Sequence, residues 1–317
     1  MRNPFRRTER PWTWEDYFIP GTVEPSTGNG VLKNNFTGSD YPHGTPNEVL
    51  LEELESQFTH LRMIQLMQFP IEGSFDYDHM KAIHRRIFQD VYPWAGKERT
   101  APEVPMRKAG RDLAALERGE FNPRPVFHEY PAAPDIAARA QQCYTDLARD
   151  NHLRGRGRDA FVRDLAHIWC RINEVHSFRE GNTRSQFAYF HQLSQQAGYD
   201  LDVARFAEGK ELRNDFVNGR FYFQQTGRSD WLADALQDAV VPLHPEPRPE
   251  RSQVVSIIDN GVVTADLLDA FYAVADGHPR DLKSFMRGGA STTQAGLPLT
   301  STSDVEHDAE SAHEVGD

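Results

Sequence analysis

Apolar residues recur along most of this chain at the spacing of an α-helix. In residues 46–67 they form a single helical stripe: Val49, Leu50, Leu54, Phe58, Leu61 and Ile64. Thr45 stands at the expected N-cap of this helix, with Pro46 at its first position. The same spacing predicts further helices at 76–90, 134–150, 159–174, 183–197, 206–223 and 229–241. Because strand-like alternation is scarce, we expect an all-α body, and we expect Gly198 to cap the helix at 183–197.

One segment of the body breaks the helical period. Residues 91–110 read VYPWAGKERTAPEVPMRKAG, with three prolines and two glycines. Proline and glycine at this density interrupt a helix and favour turns. The segment therefore predicts a turn-rich stretch or a hairpin.

Composition divides the chain into five parts. Residues 1–45 are rich in Gly, Pro, Asn and Thr and carry several aromatic residues, which predicts an irregular arm packed on the body at 46–241. A proline-rich linker is expected at 242–253, followed by a short helical extension at 254–286. The acidic stretch 287–317 has the composition of a disordered tail.

The overall charge and the cysteine content exclude several classes of protein. A net charge of -12 argues against a nucleic-acid binder, because neutralising phosphates needs a basic surface. Cys143 and Cys170, the two cysteines, both fall in apolar helical patterns, which favours buried free thiols and a reducing compartment. The chain has no apolar run long enough to span a bilayer and no signal-peptide pattern. We therefore expect a cytoplasmic protein with no membrane partner.

The stretch HSFREGNTRSQ, residues 176–186, concentrates polar residues between two apolar helical patterns. One predicted helix ends near residue 174, and the next begins near Asn182. A helix start offers unpaired N–H groups and a partial positive charge, and Gly181 lets a ligand approach the backbone closely. Arg184 in the first turn adds a fork of donors that suits phosphate. This spacing predicts an anion cradle.

Other residues of the stretch have side chains that suit catalysis or packing. A histidine side chain has an unperturbed pKa of about 6.5, so near neutral pH His176 has the chemistry to accept a proton from a hydroxyl group. Glu180 offers oxygen ligands for Mg²⁺ bridged to a nucleotide. Phe178 is expected to anchor the loop in the core. Arg184 opposes the helix dipole and therefore needs a compensating partner.

These residues resemble the signature of the Fic family, His-x-Phe-x-(Asp/Glu)-Gly-Asn-Gly-Arg-x-x-Arg. The matching positions are His176, Phe178, Glu180, Gly181, Asn182 and Arg184. The segments DYFIPGT and GVLKNNF are similar to the arm that precedes the domain in many bacterial Fic proteins. IHRRIFQDVYPWAGKERT resembles the helix that leads into the family's flap, a hairpin over the site. The resemblance covers residues 1–241.

The resemblance implies a helical bundle with a small β-hairpin flap, and the transfer of AMP from ATP to a Ser, Thr or Tyr hydroxyl of a target protein. It makes His176 the general base and Glu180 the ligand of Mg²⁺. It implies a nucleotide-binding loop built from Phe178, Gly181, Asn182 and Thr183. It also assigns Arg184 to the β-phosphate and to the catalytic set.

The resemblance also implies partners. The flap, at about 100–110, would pair with extended backbone of the target protein, because an extended peptide docks by adding a strand. A bacterial toxin or effector is one role that fits such an enzyme. The chain contains no match to the inhibitory motif (Ser/Thr)-x-x-x-Glu-(Gly/Asn) of autoinhibited Fic proteins. We therefore expect inhibition, if there is any, to come from a separate small antitoxin.

Two positions depart from the signature. Thr183 replaces the usual second glycine, and its hydroxyl has the chemistry to bind phosphate or cap the helix. Phe187 replaces the final arginine, which in the family contacts the γ-phosphate. Another basic residue would have to substitute for it, and Arg107 and Lys108 in the flap are candidates because of their charge.

Two alternatives remain open at this stage. One is a Fic enzyme that moves another phosphate-containing group, such as UMP, phosphocholine or phosphate. Gly181 and Arg184 favour AMP, because the phosphorylating branch usually carries a lysine in the anion loop. The other is a catalytically weakened module that binds nucleotide or protein. The intact His176 argues against it, since a binder needs no base.

Overall fold

A computed structural model describes residues 10–207 and 209–243. The predictions for the helical extension at 254–286, the acidic tail at 287–317 and all but the first two residues of the linker at 242–253 fall outside these residues.

The described chain is mostly helical, which confirms the predicted fold class. Its helices are α1 Glu48–Gln68, α2 Tyr77–Phe88, α3 Leu113–Glu117, α4 Ala133–Arg149, α5 Arg158–Val175, α6 Asn182–Ala197, α7 Arg213–Thr226 and α8 Asp230–Gln237. The helix predicted at 206–223 begins later, because a short 3-10 turn at Val203–Phe206 and a loop precede it. None of the described helices is both long enough and apolar enough to cross a membrane.

The ends of two helices test the predicted caps. Thr45 does not cap α1; the N-cap is Asn47, whose side chain accepts a hydrogen bond from the N–H of Leu50 at 3.2 Å. The Thr45 hydroxyl accepts from the N–H of Asn47 instead, at 3.3 Å. Gly198 does cap α6, with a left-handed φ of 95°. Glycine adopts this conformation at little cost, so the predicted C-cap is confirmed.

The turn-rich segment contains half of a hairpin. Strand β1, Met106–Gly110, pairs antiparallel with β2, Val126–Tyr130, so that Met106 faces Tyr130. This confirms the small hairpin, although its second strand lies beyond the predicted flap at 100–110. A second pair, β3 Tyr199–Leu201 with β4 Val240–Pro242, was not predicted, because strands of three residues carry too little alternation.

Helices α5 and α6 form the centre of the core. Trp169 on α5 is completely buried and stacks on Phe190 of α6, with ring centroids 4.3 Å apart. The Trp169 Nε1–H donates to Oε1 of Gln186 at 3.0 Å, so the one polar atom of this ring is satisfied. Cys143 and Cys170 are buried free thiols, as predicted. The loop that joins α5 to α6 is therefore anchored at both ends in the buried core.

The N-terminal arm packs against this core through aromatic residues. Tyr17, Phe18 and Ile19 are buried, and Phe18 forms an isolated β-bridge with Leu32. The hydroxyl of Thr100 donates to the carbonyl of Trp12 at 2.8 Å, which ties the arm to the chain just before β1.

Candidate active site

The backbone of the loop between α5 and α6 requires glycine at one position. Gly181 has a φ of 80°, and a Cβ there would lie 2.1 Å from Cζ of Phe88. Both the left-handed conformation and the close contact exclude a larger residue. Phe178 anchors the loop as predicted, because it is buried and stacks on His84 with centroids 3.8 Å apart. His84 Nε2 in turn donates to the carbonyl of Glu180 at 3.0 Å.

Asn182 orients the imidazole of His176. Its Oδ1 accepts from the N–H of Phe178 at 2.9 Å, and its Nδ2 donates to the carbonyl of the same residue at 2.8 Å. These two bonds determine which end of the amide faces His176, and it is Nδ2, 3.3 Å from Nε2. Because Nδ2 is a donor, Nε2 is the acceptor nitrogen of the ring. The carbonyl of His176 accepts from Nε of Arg99 at 2.8 Å, so the backbone is held as well.

The surroundings of His176 keep its ring neutral. Burial, followed by the positive charges of Arg99, Lys108 and Arg220, lowers the pKa of His176 well below its usual value. Nδ1, which carries the proton, is buried and has no hydrogen-bond partner among the described residues. The imidazolium form would therefore gain no stabilising acceptor. Near neutral pH the ring is thus an unprotonated base at Nε2, where Nδ2 of Asn182 lies 3.3 Å away.

A single cleft brings most of the predicted site residues together. His176, Glu180, Asn182 and Thr183 line one side of it. Strands β1 and β2 and helix α7 close the other side. Those elements contribute Lys108, Tyr130 and Arg220. The cleft holds about 50 Å³ of space for water-sized groups.

Arg184 does not line this cleft. Its guanidinium forms an ion pair with Glu55 on α1, and its Nη2 donates to Oε1 of Glu180 at 3.0 Å. It also stacks over Phe88, with Cζ 4.7 Å from the ring centroid. The expected partner against the helix dipole is thereby confirmed, and there are two of them. The predicted contact of Arg184 with a β-phosphate stays a prediction.

Glu180 suits a metal ion that arrives with a phosphate. Its Oε1 is occupied by the N–H of Gly181 at 2.9 Å and by Arg184, whereas its Oε2 has no partner among the described residues. Residues 10–207 and 209–243 contain no group of three or more His, Cys, Asp or Glu that could hold a metal by themselves. A single carboxylate is nevertheless a common protein contribution to Mg²⁺ bound by substrate phosphates. The donor set fits Mg²⁺ that binds together with a nucleotide.

The flap places its two basic residues on opposite faces. Arg107 is exposed, and its Nε pairs with Oε1 of Glu129 at 2.8 Å. Lys108 lines the cleft, with Nζ 5.6 Å from the ring centroid of Phe221. Of the two candidates proposed for the charge missing at Phe187, Lys108 alone faces the site.

Arg220 on α7 is a cleft residue that the sequence did not reveal. It is 6% exposed, and its Nη1 donates to Oδ1 of Asn173 at 3.0 Å and to Oγ1 of Thr183 at 3.3 Å. Burial lowers the pKa of Arg220 to about 10, which leaves it protonated near neutral pH. Its one sequence signal is an arginine within the aromatic-rich stretch 216–223, and an arginine is usually exposed.

Comparison with known proteins decides the family. The model of the Fic/DOC family matches residues 74–194. "Probable protein adenylyltransferase y4lH" of Sinorhizobium fredii is 30% identical over 179 residues, which cover 56% of this chain and 78% of that protein. The chain belongs to the Fic/DOC family.

Two further proteins resemble this Fic protein, one in sequence and one in fold. Protein adenylyltransferase VbhT of Bartonella schoenbuchensis is 32% identical over 194 residues, 61% of this chain but 35% of VbhT, so the two share about a third of VbhT's length. The crystal structure of BepC from Bartonella tribocorum, with bound AMPPNP, superimposes with a TM-score of 0.55 at 20% identity. That match covers 73% of this chain and 98% of the BepC chain, and it shows that the fold is shared.

Proposed function

We propose that this Fic protein transfers AMP from ATP to a hydroxyl side chain of a target protein. The observation that carries the proposal is a neutral His176 whose acceptor nitrogen lies beside the start of α6. The names of y4lH and VbhT support it, as does the ATP analogue bound to BepC. A module that only binds nucleotide would gain nothing from a buried base at this place.

The proposed step breaks one bond to phosphorus and forms another. Nε2 of His176 takes the proton of the target hydroxyl, and the hydroxyl oxygen attacks the α-phosphorus. The bond from the α-phosphorus to the oxygen that bridges it to the β-phosphate breaks, and pyrophosphate leaves. General-base assistance of this kind contributes on the order of a hundred- to ten-thousand-fold to the rate.

The start of α6 stabilises the negative charge that this step develops. Its first N–H groups have no carbonyl four residues earlier to accept their hydrogen bonds, and the helix dipole adds positive potential. We assign Gly181, Asn182 and Thr183 to this anion hole. Gly181 contributes by its backbone conformation, Asn182 by orienting the base and Thr183 by its position at the cleft wall.

Glu180 is the residue of the cleft that would hold Mg²⁺. When bound, Mg²⁺ supplies positive charge that neutralises phosphate oxygens. Arg184 donates to Oε1 of Glu180, whereas Oε2 has no partner among the described residues. In this conformation Arg184 acts by orienting Glu180, and a direct contact with the β-phosphate would require it to leave Glu55.

The flap is the proposed docking site of the target. Strands β1 and β2 form a sheet of two strands, so each has one edge that no other strand of the described residues pairs with. An extended segment of a target can pair with such an edge. Lys108 on β1 lines the cleft, so a strand added there would run close to His176.

The test uses the purified chain, a cell lysate as the source of targets and ATP radiolabelled at the α-phosphorus. The wild type is expected to label a protein band, and His176→Ala is expected to lose at least about a hundredfold of that rate. His167→Ala is the matched control, because His167 lies exposed on α5, the helix that ends just before His176, and is outside the cleft. It should label at the wild-type rate.

Equal labelling by His176→Ala and the wild type would overturn the assignment of the base. Binding of ATP without labelling of any protein would favour the nucleotide-binding module. Mass spectrometry of proteins from cells that express the enzyme then identifies the transferred group and the acceptor residue.

A further inference from the structure

Arg220 is a buried cation that has no carboxylate partner among the described residues. Its two hydrogen bonds go to neutral oxygens, Oδ1 of Asn173 and Oγ1 of Thr183. Its Nε is buried and makes no hydrogen bond within residues 10–207 and 209–243. Buried charges in proteins are normally paired, because an isolated charge loses its hydration without compensation.

Four other arginines are buried in the described chain: Arg62, Arg99, Arg179 and Arg184. The guanidinium of Arg179 lies over the rings of Trp14 and Phe18. Arg62 forms a two-pronged pair with Asp90, at 2.6 and 2.9 Å. Arg184 is paired with Glu55 and Glu180. Arg99 has no such pair but gives its donors to three backbone carbonyls, those of His176, Ala101 and Pro131. Arg220 has neither a carboxylate nor a full set of acceptors.

The position of Arg220 points to what would compensate it. The guanidinium lines the same cleft as His176, and it contacts Thr183 in the first turn of α6. Its charge adds to the partial positive charge of the helix start. Two sources of positive potential that meet in one cleft, one of them with an unsatisfied donor, form a site for an anion with several oxygens.

The packing of Phe187 indicates that Arg220 lies where a long side chain at position 187 would reach. Phe187 lies one turn after Thr183 on α6 and stacks on Phe216, with centroids 5.0 Å apart. Arg220 lies over the same ring of Phe216, with Cζ 4.4 Å from its centroid. Side chains on a helix point towards its N-terminus, so a long side chain at 187 would extend towards the space that Arg220 fills.

We infer that Arg220, held by Thr183, binds the β,γ-diphosphate portion of a nucleoside triphosphate. The inference rests on the proposed function, which makes ATP the ligand. It means that a positive charge on α7 replaces the arginine that the family signature has at the position of Phe187. Guanidinium binds phosphate oxygens through two parallel N–H groups, and Nη2 of Arg220 donates to no acceptor among the described residues. Thr183 is the residue that positions the guanidinium.

The experiment compares the binding of ATP, AMP and inorganic triphosphate to the full chain by calorimetry. Arg220→Gln is expected to weaken ATP and triphosphate about ten- to a hundredfold, the range of a charge-assisted pair. The affinity for AMP, which lacks the β- and γ-phosphates, should change less than about threefold. Arg220→Lys, which keeps the charge but loses the fork, should fall between the wild type and Arg220→Gln.

Arg228→Gln is the matched control for this experiment. Arg228 is exposed, pairs with Glu117 and lies outside the cleft, so all three ligands should bind it as they bind the wild type. An equal loss of ATP and AMP affinity in Arg220→Gln would show a merely structural role and overturn the inference. Unchanged ATP affinity in Arg220→Gln would also overturn the inference.

The failure of the proposed function gives a different result. A wild-type chain that binds triphosphate through Arg220 but labels no protein would keep the anion site and refute the transfer activity. If the wild type labels proteins but Arg220→Gln binds ATP as tightly as the wild type does, the transfer activity stands and the anion site is refuted.

Discussion

Two buried arginines lie on either side of the start of α6, and they differ in how their charge is balanced. Arg184 faces α1 and is matched by the carboxylates of Glu55 and Glu180. Arg220 faces the flap and meets neutral oxygens. A charge that is balanced inside the fold stabilises the fold and orients its partners. A charge that is left unbalanced at a cleft is available to a ligand.

The difference has an energetic consequence. The ion pairs of Arg184 offset the cost of removing its charge from water, whereas the same cost for Arg220 is only partly offset. A protein retains such a cost where activity requires it, and active sites are accordingly less stable than they could be. The stability of variants at the two positions therefore tests the comparison directly.

The largest effect on stability is expected for Arg184→Met. The substitution leaves Glu55 and Glu180 close together without their cation, which should lower the free energy of unfolding by about 3–5 kcal/mol. Urea denaturation followed by circular dichroism measures it. The matched variant Arg220→Met loses two hydrogen bonds but also removes an uncompensated charge, so it should change stability by less than about 1 kcal/mol. Equal losses in the two variants would contradict the comparison.

A smaller effect is expected for Glu55→Gln, which makes Arg184 more similar to Arg220. The amide keeps a hydrogen-bonding oxygen but loses the charge, so we expect a loss of about 1–3 kcal/mol in the free energy of unfolding. Combining it with Arg184→Met gives a double-mutant cycle. Because the two residues act on each other, the double variant should lose less than the sum of the single variants. Strict additivity would show that the ion pair contributes nothing.

The pH dependence of the transfer reaction reports on the cleft side of the comparison. Only neutral His176 can accept the proton, so activity is lost as the pH falls through the pKa of the ring. Since that pKa is lowered, the acid limb of kcat/KM should lie below the ordinary histidine value of about 6.5. A limb at or above that value would mean that burial and the nearby cations do not control the base.

The smallest effect is expected for Lys108→Met. Lys108 is one of the cations that lower the pKa of His176, so its removal should move the acid limb to higher pH by a fraction of a unit. Arg107→Met is the control, because its side chain is exposed and pairs with Glu129. The same shift in both variants would attribute the effect to the net charge of the flap and not to the cleft.

The sequence predicted the elements whose signals are local. Helical spacing located α1, α2, α4, α5 and α6, and the stretch 176–186 located the loop at the centre of the cleft. It even predicted that Arg184 needs a partner, because the helix dipole opposes a cation in the first turn. The hairpin was expected from proline and glycine, but its second strand was missed.

The partners themselves could not be predicted, because they are distant in the sequence. Glu55 reaches Arg184 across 129 positions, and Arg220 reaches Thr183 across 37. No local pattern connects residues at such separations, and only the packing of α1 and α7 against α6 brings them together. Arg107 and Lys108 were equal candidates from the sequence, because only the packing of the hairpin shows which face of β1 lines the cleft.

The central claim is that the cleft at the start of α6 presents the α-phosphorus of ATP to the hydroxyl activated by His176. Parallel reactions with ATP labelled at the α- or at the γ-phosphorus test it most directly. The account predicts that label from the α-phosphorus enters the target and that label from the γ-phosphorus leaves with pyrophosphate. Entry of γ-label into the target, without α-label, would contradict it.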